Sequence, residues 1–215
     1  MSLSTYLKRV GLTTGPTAEP TGHTRLGFVK TMLLGAHVTF TVSKTFQEFG
    51  KYVHESLFLG KTKIKLSPED KKRADAMLKA LRANKTVMKL LEDCVVETMG
   101  KAILAGVNIE YTPDAVQRKK KGRDLKTTIC ANENDFVKKG FEYGYFRQDV
   151  TYSAAAGLDE FVIIGIQKDK PYRVFIVVTS LHPELRAYAA KELEFLLYFY
   201  KNYGNFIALT TWVRN

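Results

Sequence analysis

At 215 residues, 45% hydrophobic and 26% charged, the chain suits one globular domain with its own core and is not the composition of a disordered or low-complexity protein. No stretch approaches 18 uninterrupted apolar residues, and the first residues (MSLSTYLKRVGL) lack the apolar run of a signal peptide. The formal charge of +11 suggests nucleic acid, nucleotides or an acidic membrane surface as partners, while Cys94 and Cys130, far apart and outside any CxxC, read as reduced core thiols of an intracellular protein.

In chain order, Leu3–Val10 is expected to form two helical turns with Leu3, Tyr6, Leu7 and Val10 on one side. Two turns are unstable alone and need a surface to dock on. Residues 11–24 (GLTTGPTAEPTGHT) form a connector without hydrophobic periodicity, which divides the chain into an arm over 1–22 and a body over 23–215. Leu26–Leu34 and His37–Val42 read as a hairpin, and Thr45–Ser56 as a short helix with Phe46, Phe49, Tyr52 and Val53 inward. Leu57–Leu66 contains the strand-like alternation KTKIKL with its lysines outward.

Ser67-Pro68-Glu69-Asp70 opens a helix predicted to run to about Leu91, with Ser67 as cap and a buried stripe of Ala74, Met77, Leu78, Leu81, Met88 and Leu91. The segment Cys94–Ile109 is open between helix and strand. Thr112-Pro113-Asp114 starts a turn, and the basic run Gln117–Lys126 (QRKKKGRDLK) reads as a solvated loop, with a phosphate site as the alternative. Lys138–Tyr152 reads as a strand with Tyr143 and Tyr145 on one face. Phe161–Ile166 and Arg173–Thr179 form an antiparallel hairpin covered on both faces. The following helix, Pro183–Tyr203, has one stripe of Leu185, Ala189, Leu193, Leu196, Leu197 and Tyr200, and a second side of Phe195, Tyr198 and Phe199. Phe206–Val213 is expected as a last strand.

The sequence offers no recognisable catalytic or metal-binding set. Gly60-Lys61-Thr62 fails as a phosphate loop because Glu55 stands where its first glycine belongs. His23, His37, His54 and His182 have no ligand spacing with one another or with the cysteines. Glu192 and Glu194 point apart on their helix. The expectation is a protein that is not an enzyme and requires no cofactor.

Val42–Tyr52 (VSKTFQEFGKY), with Ser43, Thr45, Phe46 and Tyr52 in order after a strand, resembles the polyhedrins of cypoviruses. So do Pro113-Asp114 followed by Gln117-Arg118, and Glu192-Leu193-Glu194 leading into an apolar-aromatic run. The resemblance implies an α+β fold: an antiparallel β-sandwich with flanking helices and a projecting N-terminal helix. It also implies a structural, self-assembling protein, trimeric and locked into an intracellular crystal. Such occlusion bodies lie in the cytoplasm of the infected host cell, embed virus particles and dissolve in the alkaline insect midgut. Self-assembly would fall to Leu3, Tyr6, Leu7, Val10, Phe195 and Phe199. Alkaline release would draw on a charge swing from +11 to roughly −23 as lysines lose protons and tyrosines ionise, with Tyr143, Tyr145, Tyr152, Tyr198 and Tyr200 as candidate sensors. Nucleotides would be held as bound anions by Arg118, Lys119, Lys120 and Lys121, and no membrane is expected. The alternative is a basic viral matrix protein that binds anionic membrane and nucleocapsid. An RNA-binding protein, using the basic helix after Ser67, the run at Arg118 and a Tyr143/Tyr145 stacking face, is a third reading.

Overall fold

The computed structural model describes residues 44–212, apart from residues 98 and 119 and the side chains of residue 44 and residues 203–212. The arm residues Leu3, Tyr6, Leu7 and Val10, the hairpin expected over 26–42, Ser43 and Lys119 lie outside the described residues.

The centre is a five-stranded sheet in the order β1-β4-β5-β6-β7, formed by Cys94–Val96, Ala115–Gln117, Lys121–Thr128, Glu160–Gln167 and Val174–Val178. β6 and β7 are the expected hairpin, antiparallel with Val162 opposite Val178 and Ile166 opposite Val174. Because successive strand residues face opposite ways, Phe161, Ile163, Phe175 and Val177 enter one core while Val162, Ile164, Ile166 and Leu125 enter the other. β5 and β6 run parallel, and a parallel pair needs a long crossover. Here it is made of α4 (Glu133–Glu142) and α5 (Tyr145–Ala156). β2 (Gly100–Leu104) and β3 (Val107–Tyr111) form a separate two-stranded hairpin.

One face of the sheet carries α1 (Lys44–Phe58), α2 (Pro68–Ala83) and α3 (Lys85–Leu91). Phe49, Tyr52, Val53, Ala74, Met77, Leu78, Leu81 and Val87 form their buried side. Ser67 caps α2 by accepting from the Asp70 N–H, with Pro68 just inside. The single helix expected to Leu91 breaks at Asn84, which turns extended and accepts from the Thr86 and Val87 N–H groups to start α3. The rotation at that corner leaves Met88 exposed, as Phe46 is on α1. The other face carries α4, α5 and α6 (Pro183–Trp212), whose Ala189, Leu193, Leu196, Leu197, Phe199 and Tyr200 are buried, while Phe195 and Tyr198 are exposed.

The mixed α+β class is what the structure shows. The antiparallel sandwich is not: among the described residues helices cover both faces of one open sheet, so no second large sheet packs on it. Three local expectations are also corrected. The run Gln117–Lys126 is not a loop but β4, a turn and β5, held by backbone pairing on both sides. Lys138–Tyr152 is two helices rather than a strand, because Asn132 caps α4 by accepting from the Asp135 N–H, and Gly144, at φ 79°, turns the chain into α5. The strand expected over Phe206–Val213 is helix as far as Trp212, where α6 ends, and Val213 lies outside the described residues.

Candidate active site

The strand register gathers the acidic residues. Ala115 pairs with Arg123, so continuing the β4–β5 ladder by one residue sets Asp114 beside Asp124. On the other side Val96 pairs with Ala115, and the next residue, Glu97, donates its N–H to the Asp114 carbonyl at 3.0 Å. Glu97, Asp114 and Asp124 thus form one row across three neighbouring strands.

Asp114 is held from two sides. The Leu125 N–H donates to its Oδ2 at 2.7 Å. His54, from the penultimate turn of α1, brings Nε2 to 3.1 Å from Oδ1, off the line that an aligned hydrogen bond needs. The other imidazole nitrogen, Nδ1, lies 3.6 Å from Glu97 Oε1, and the ring rests on Phe58 with centroids 4.7 Å apart.

Asp124 is 1% exposed. Its Oδ1 accepts from Gln148 Nε2 on α5 at 2.8 Å, and its Oδ2 lies 2.7 Å from Lys126 Nζ without an aligned hydrogen bond. Lys126 shares this face because it follows Asp124 by two residues along β5. Its ammonium sits 5.1 Å above the Tyr145 ring.

These contacts set the protonation states. Burial pushes the Asp124 carboxyl up to about 6; Asp114 adds to the rise, and Lys126 and Gln148 oppose it. Burial works to strip Lys126 of its proton, but attraction by Asp124 and Asp114 outweighs it and holds the ammonium well above the usual lysine range. Burial likewise opposes the His54 cation, yet Asp114, Glu97 and Asp124 together raise it above an ordinary histidine. Burial drives the Tyr145 phenol up to about 12 and raises Tyr152 too.

The donor set is two adjacent carboxylates and an imidazole, which suits a hard divalent cation. Among the described residues no three His, Cys, Asp or Glu groups stand ready as a metal cluster, and both aspartates accept hydrogen bonds from their neighbours. Asp124 Oδ2 and His54 Nε2 are nevertheless buried polar atoms without an aligned hydrogen bond; the carboxylate oxygen has lone pairs to give, and the imidazole has one only in its neutral form.

Of the residues singled out from sequence, the structure brings Asp114, Tyr145 and Tyr152 to this cluster. Pro113 leads into β4, and Gln117 closes it, donating to the Glu92 carbonyl at 2.8 Å. Arg118, Lys120 and Lys121 lie around the β4–β5 turn, at the far end of the strands from the carboxylates, with Lys120 beside Asp159. On α1, Thr45 and Phe46 are exposed, and Tyr52 is buried with its hydroxyl toward Asp75. Tyr143 is exposed at the end of α4, Tyr198 and Phe195 are exposed on α6, and Tyr200 and Phe199 are buried there. From sequence, His54 enters only through its spacing to other histidines and cysteines and Lys126 only within the basic run, while Asp124 and Gln148 are not named for chemistry. The signal for Asp124 was present: a carboxylate two residues before a lysine, ten after Pro113-Asp114, but set in a run that reads as solvated.

A family model described as "PDDEXK-like domain of unknown function (DUF3799)" matches residues 18–202. Among solved structures, one named as an exonuclease of Eubacterium rectale is 18% identical, with 77% of this chain and 72% of that chain covered and a TM-score of 0.52. An alkaline exonuclease from Laribacter hongkongensis is 16% identical, over 82% of this chain and 87% of that one, at a TM-score of 0.36. The first supports the fold alone; the second is too distant to add to it. No curated relative matches the chain.

The family match overturns the polyhedrin resemblance, whose motifs were short and scattered. Its Pro113-Asp114 belongs to a row of carboxylates in the sheet. The occlusion-body function, the trimer lattice with embedded virus particles, the non-enzymatic reading and the matrix-protein alternative all fall with it.

Proposed function

Since the chain belongs to the PDDEXK-like family, matched over residues 18–202, we propose that it is a nuclease that hydrolyses phosphodiester bonds with the help of a divalent cation. One observation carries the reading. Pro113-Asp114 and Asp124-Leu125-Lys126 match the Pro-Asp and Asp-X-Lys letters of the family's description, and β4–β5 pairing puts the two aspartates side by side.

Asp114, Asp124 and His54 would hold the cation. When bound, it supplies a Lewis acid for a phosphoryl oxygen and lowers the pKa of attached water. The chain's own groups have distinct tasks. Lys126 keeps its proton, so it serves as fixed positive charge beside the scissile phosphate and not as a base. Gln148 orients the Asp124 carboxylate through Oδ1, while Oδ2 faces the Lys126 ammonium at 2.7 Å. The Tyr145 ring shields the Lys126 ammonium from bulk water. The +11 charge draws in a polyanionic substrate. In this reading the bound phosphate lies at the carboxylate row and not at the Arg118–Lys121 turn.

The test is incubation of the purified chain with end-labelled single- and double-stranded DNA in Mg²⁺ or Mn²⁺. Cleavage should appear, disappear with a chelator and fall to background in Asp124→Asn. A wild-type rate no higher than that of Asp124→Asn would overturn the proposal.

A further inference from the structure

Between α1 and α2 the chain from Lys61 to Leu66 belongs to no helix or sheet, yet its exposure alternates strictly. Lys61, Lys63 and Lys65 are exposed, while Thr62, Ile64 and Leu66 are half-buried, with Ile64 and Leu66 against the core beneath α1 and α2. The inner edge is pinned: the Thr62 hydroxyl donates to Glu55 Oε2, and the Ile64 N–H donates to Thr62 Oγ1 at 3.1 Å. Glu55 is also engaged by Lys51, at 3.6 Å. Among the described residues no ion pair engages Lys61, Lys63 or Lys65.

Three ammonium groups on one edge of an extended segment repel one another, and an extended chain rises about 3.3 Å per residue, so alternate lysines stand about 6.6 Å apart. That matches the spacing of successive phosphates along an extended nucleic-acid strand. The segment also starts beside the site. His54 belongs to the carboxylate row, Phe58 packs on His54, and Lys61 follows Phe58 by three residues, at most about 11 Å of chain.

We propose that Lys61, Lys63 and Lys65 form a rail that binds consecutive phosphates of one nucleic-acid strand and leads that strand to the Asp114–Asp124 row. The inference rests on the nuclease reading for what happens at the end of the rail, but not for the binding itself. The contacts are to phosphate, so the rail fixes the strand's path and does not read its sequence.

The test is titration of a labelled single-stranded oligonucleotide with the full chain in EDTA, across a salt series. Each phosphate contact on a single strand contributes about 0.7 to the slope of log affinity against log salt, so Lys61→Gln/Lys63→Gln/Lys65→Gln should flatten the slope by about 2 and weaken binding at least tenfold at low salt. Each single substitution should remove about a third of that. The control, Lys72→Gln/Lys79→Gln/Lys89→Gln, removes the same charge from exposed positions on α2 and α3. An equal effect in the control would reduce the rail to net charge and overturn it. A loss confined to vesicles of acidic lipid, with oligonucleotide binding unchanged, would overturn it as well. With Mg²⁺ present, the rail variant should raise the KM for long DNA and leave dinucleotide hydrolysis at the wild-type rate. If wild type hydrolyses neither substrate while the binding result holds, the nuclease reading fails and the rail stands.

Discussion

Lys126 and Asp124 neutralise each other inside the protein, and this makes stability depend on pH in a definite direction. The Asp124 carboxyl is pushed up to about 6 by burial, against about 3.9 in an unfolded chain. Between those values the folded state holds more protons, so this group's contribution to stability is greatest at low pH, falls as pH rises from about 4 to 6, and is level beyond. Lys126→Met removes the cation that opposes the rise, which extends the window upward. Urea denaturation should find Lys126→Met near wild type at pH 4.5 and less stable by about 3 kcal/mol at pH 8, where a buried carboxylate is left unpaired. An equal deficit at both pH values would show that Asp124 is not the titrating group. Single residues were also where the sequence was least legible. Arg123 and Asp124 are each 1% exposed, although polar residues in a basic run read as solvent-facing. Arg123 is accommodated by Glu160 at 2.9 Å and by the Leu90 and Gly122 carbonyls, all distant or backbone partners that no local pattern announces. His54 has no ligand spacing to the other histidines or to the cysteines, whereas its partners are Asp114 and Glu97.

At the scale of elements, local signals were legible and long-range ones were not. The Ser67 cap and the β6–β7 hairpin follow from adjacent residues, and both are present. The parallel β5–β6 pair joins segments separated by two helices, and β5 has little apolar alternation to mark it as a central strand. One glycine records how tightly that crossover closes. A Cβ on Gly165 of β6 would lie 2.6 Å from Phe136 Cζ of α4, and Phe136 itself stacks on Phe175 at 5.4 Å. Gly165→Val should therefore cost about 2 kcal/mol through overpacking. Thermal melts of Gly165→Val, Phe136→Leu and the double variant measure the coupling. The double variant should be more stable than the sum of the two losses predicts; strict additivity would mean that the ring does not set the limit.

For the whole molecule, fold class was legible and architecture was not. Helices and strands are both legible as local patterns, whereas the α+β sandwich is what the polyhedrin resemblance implies, and hydrophobic strands covered on both faces suit a sandwich as well as a sheet between helices. The charge of +11 named nucleic acid among its partner classes without choosing it. A cation at the row would tie the whole fold to metal, since the residues that would hold it come from α1, β5 and the entry to β4. Mg²⁺ or Mn²⁺ should raise the melting temperature, and by more at pH 8 than at pH 5.5, because Asp124 must first lose a proton held up to about 6. The increment should vanish in Asp124→Asn. A shift of equal size at both pH values, or one retained in Asp124→Asn, would place the metal elsewhere.

The carboxylate row exists only through the pairing of β4 with β5, and that makes the site sensitive to length as well as to composition. Extra residues in the turn around Arg118 extend the far end of the hairpin and leave Asp114 opposite Asp124. Loss of one residue from β5 ahead of Asp124 shifts the alternation by one, turning Asp124 and Lys126 to the other face although both remain in the chain. Evolution can therefore lengthen this hairpin freely at its tip, but every insertion or deletion between the tip and the two aspartates must be matched on both strands.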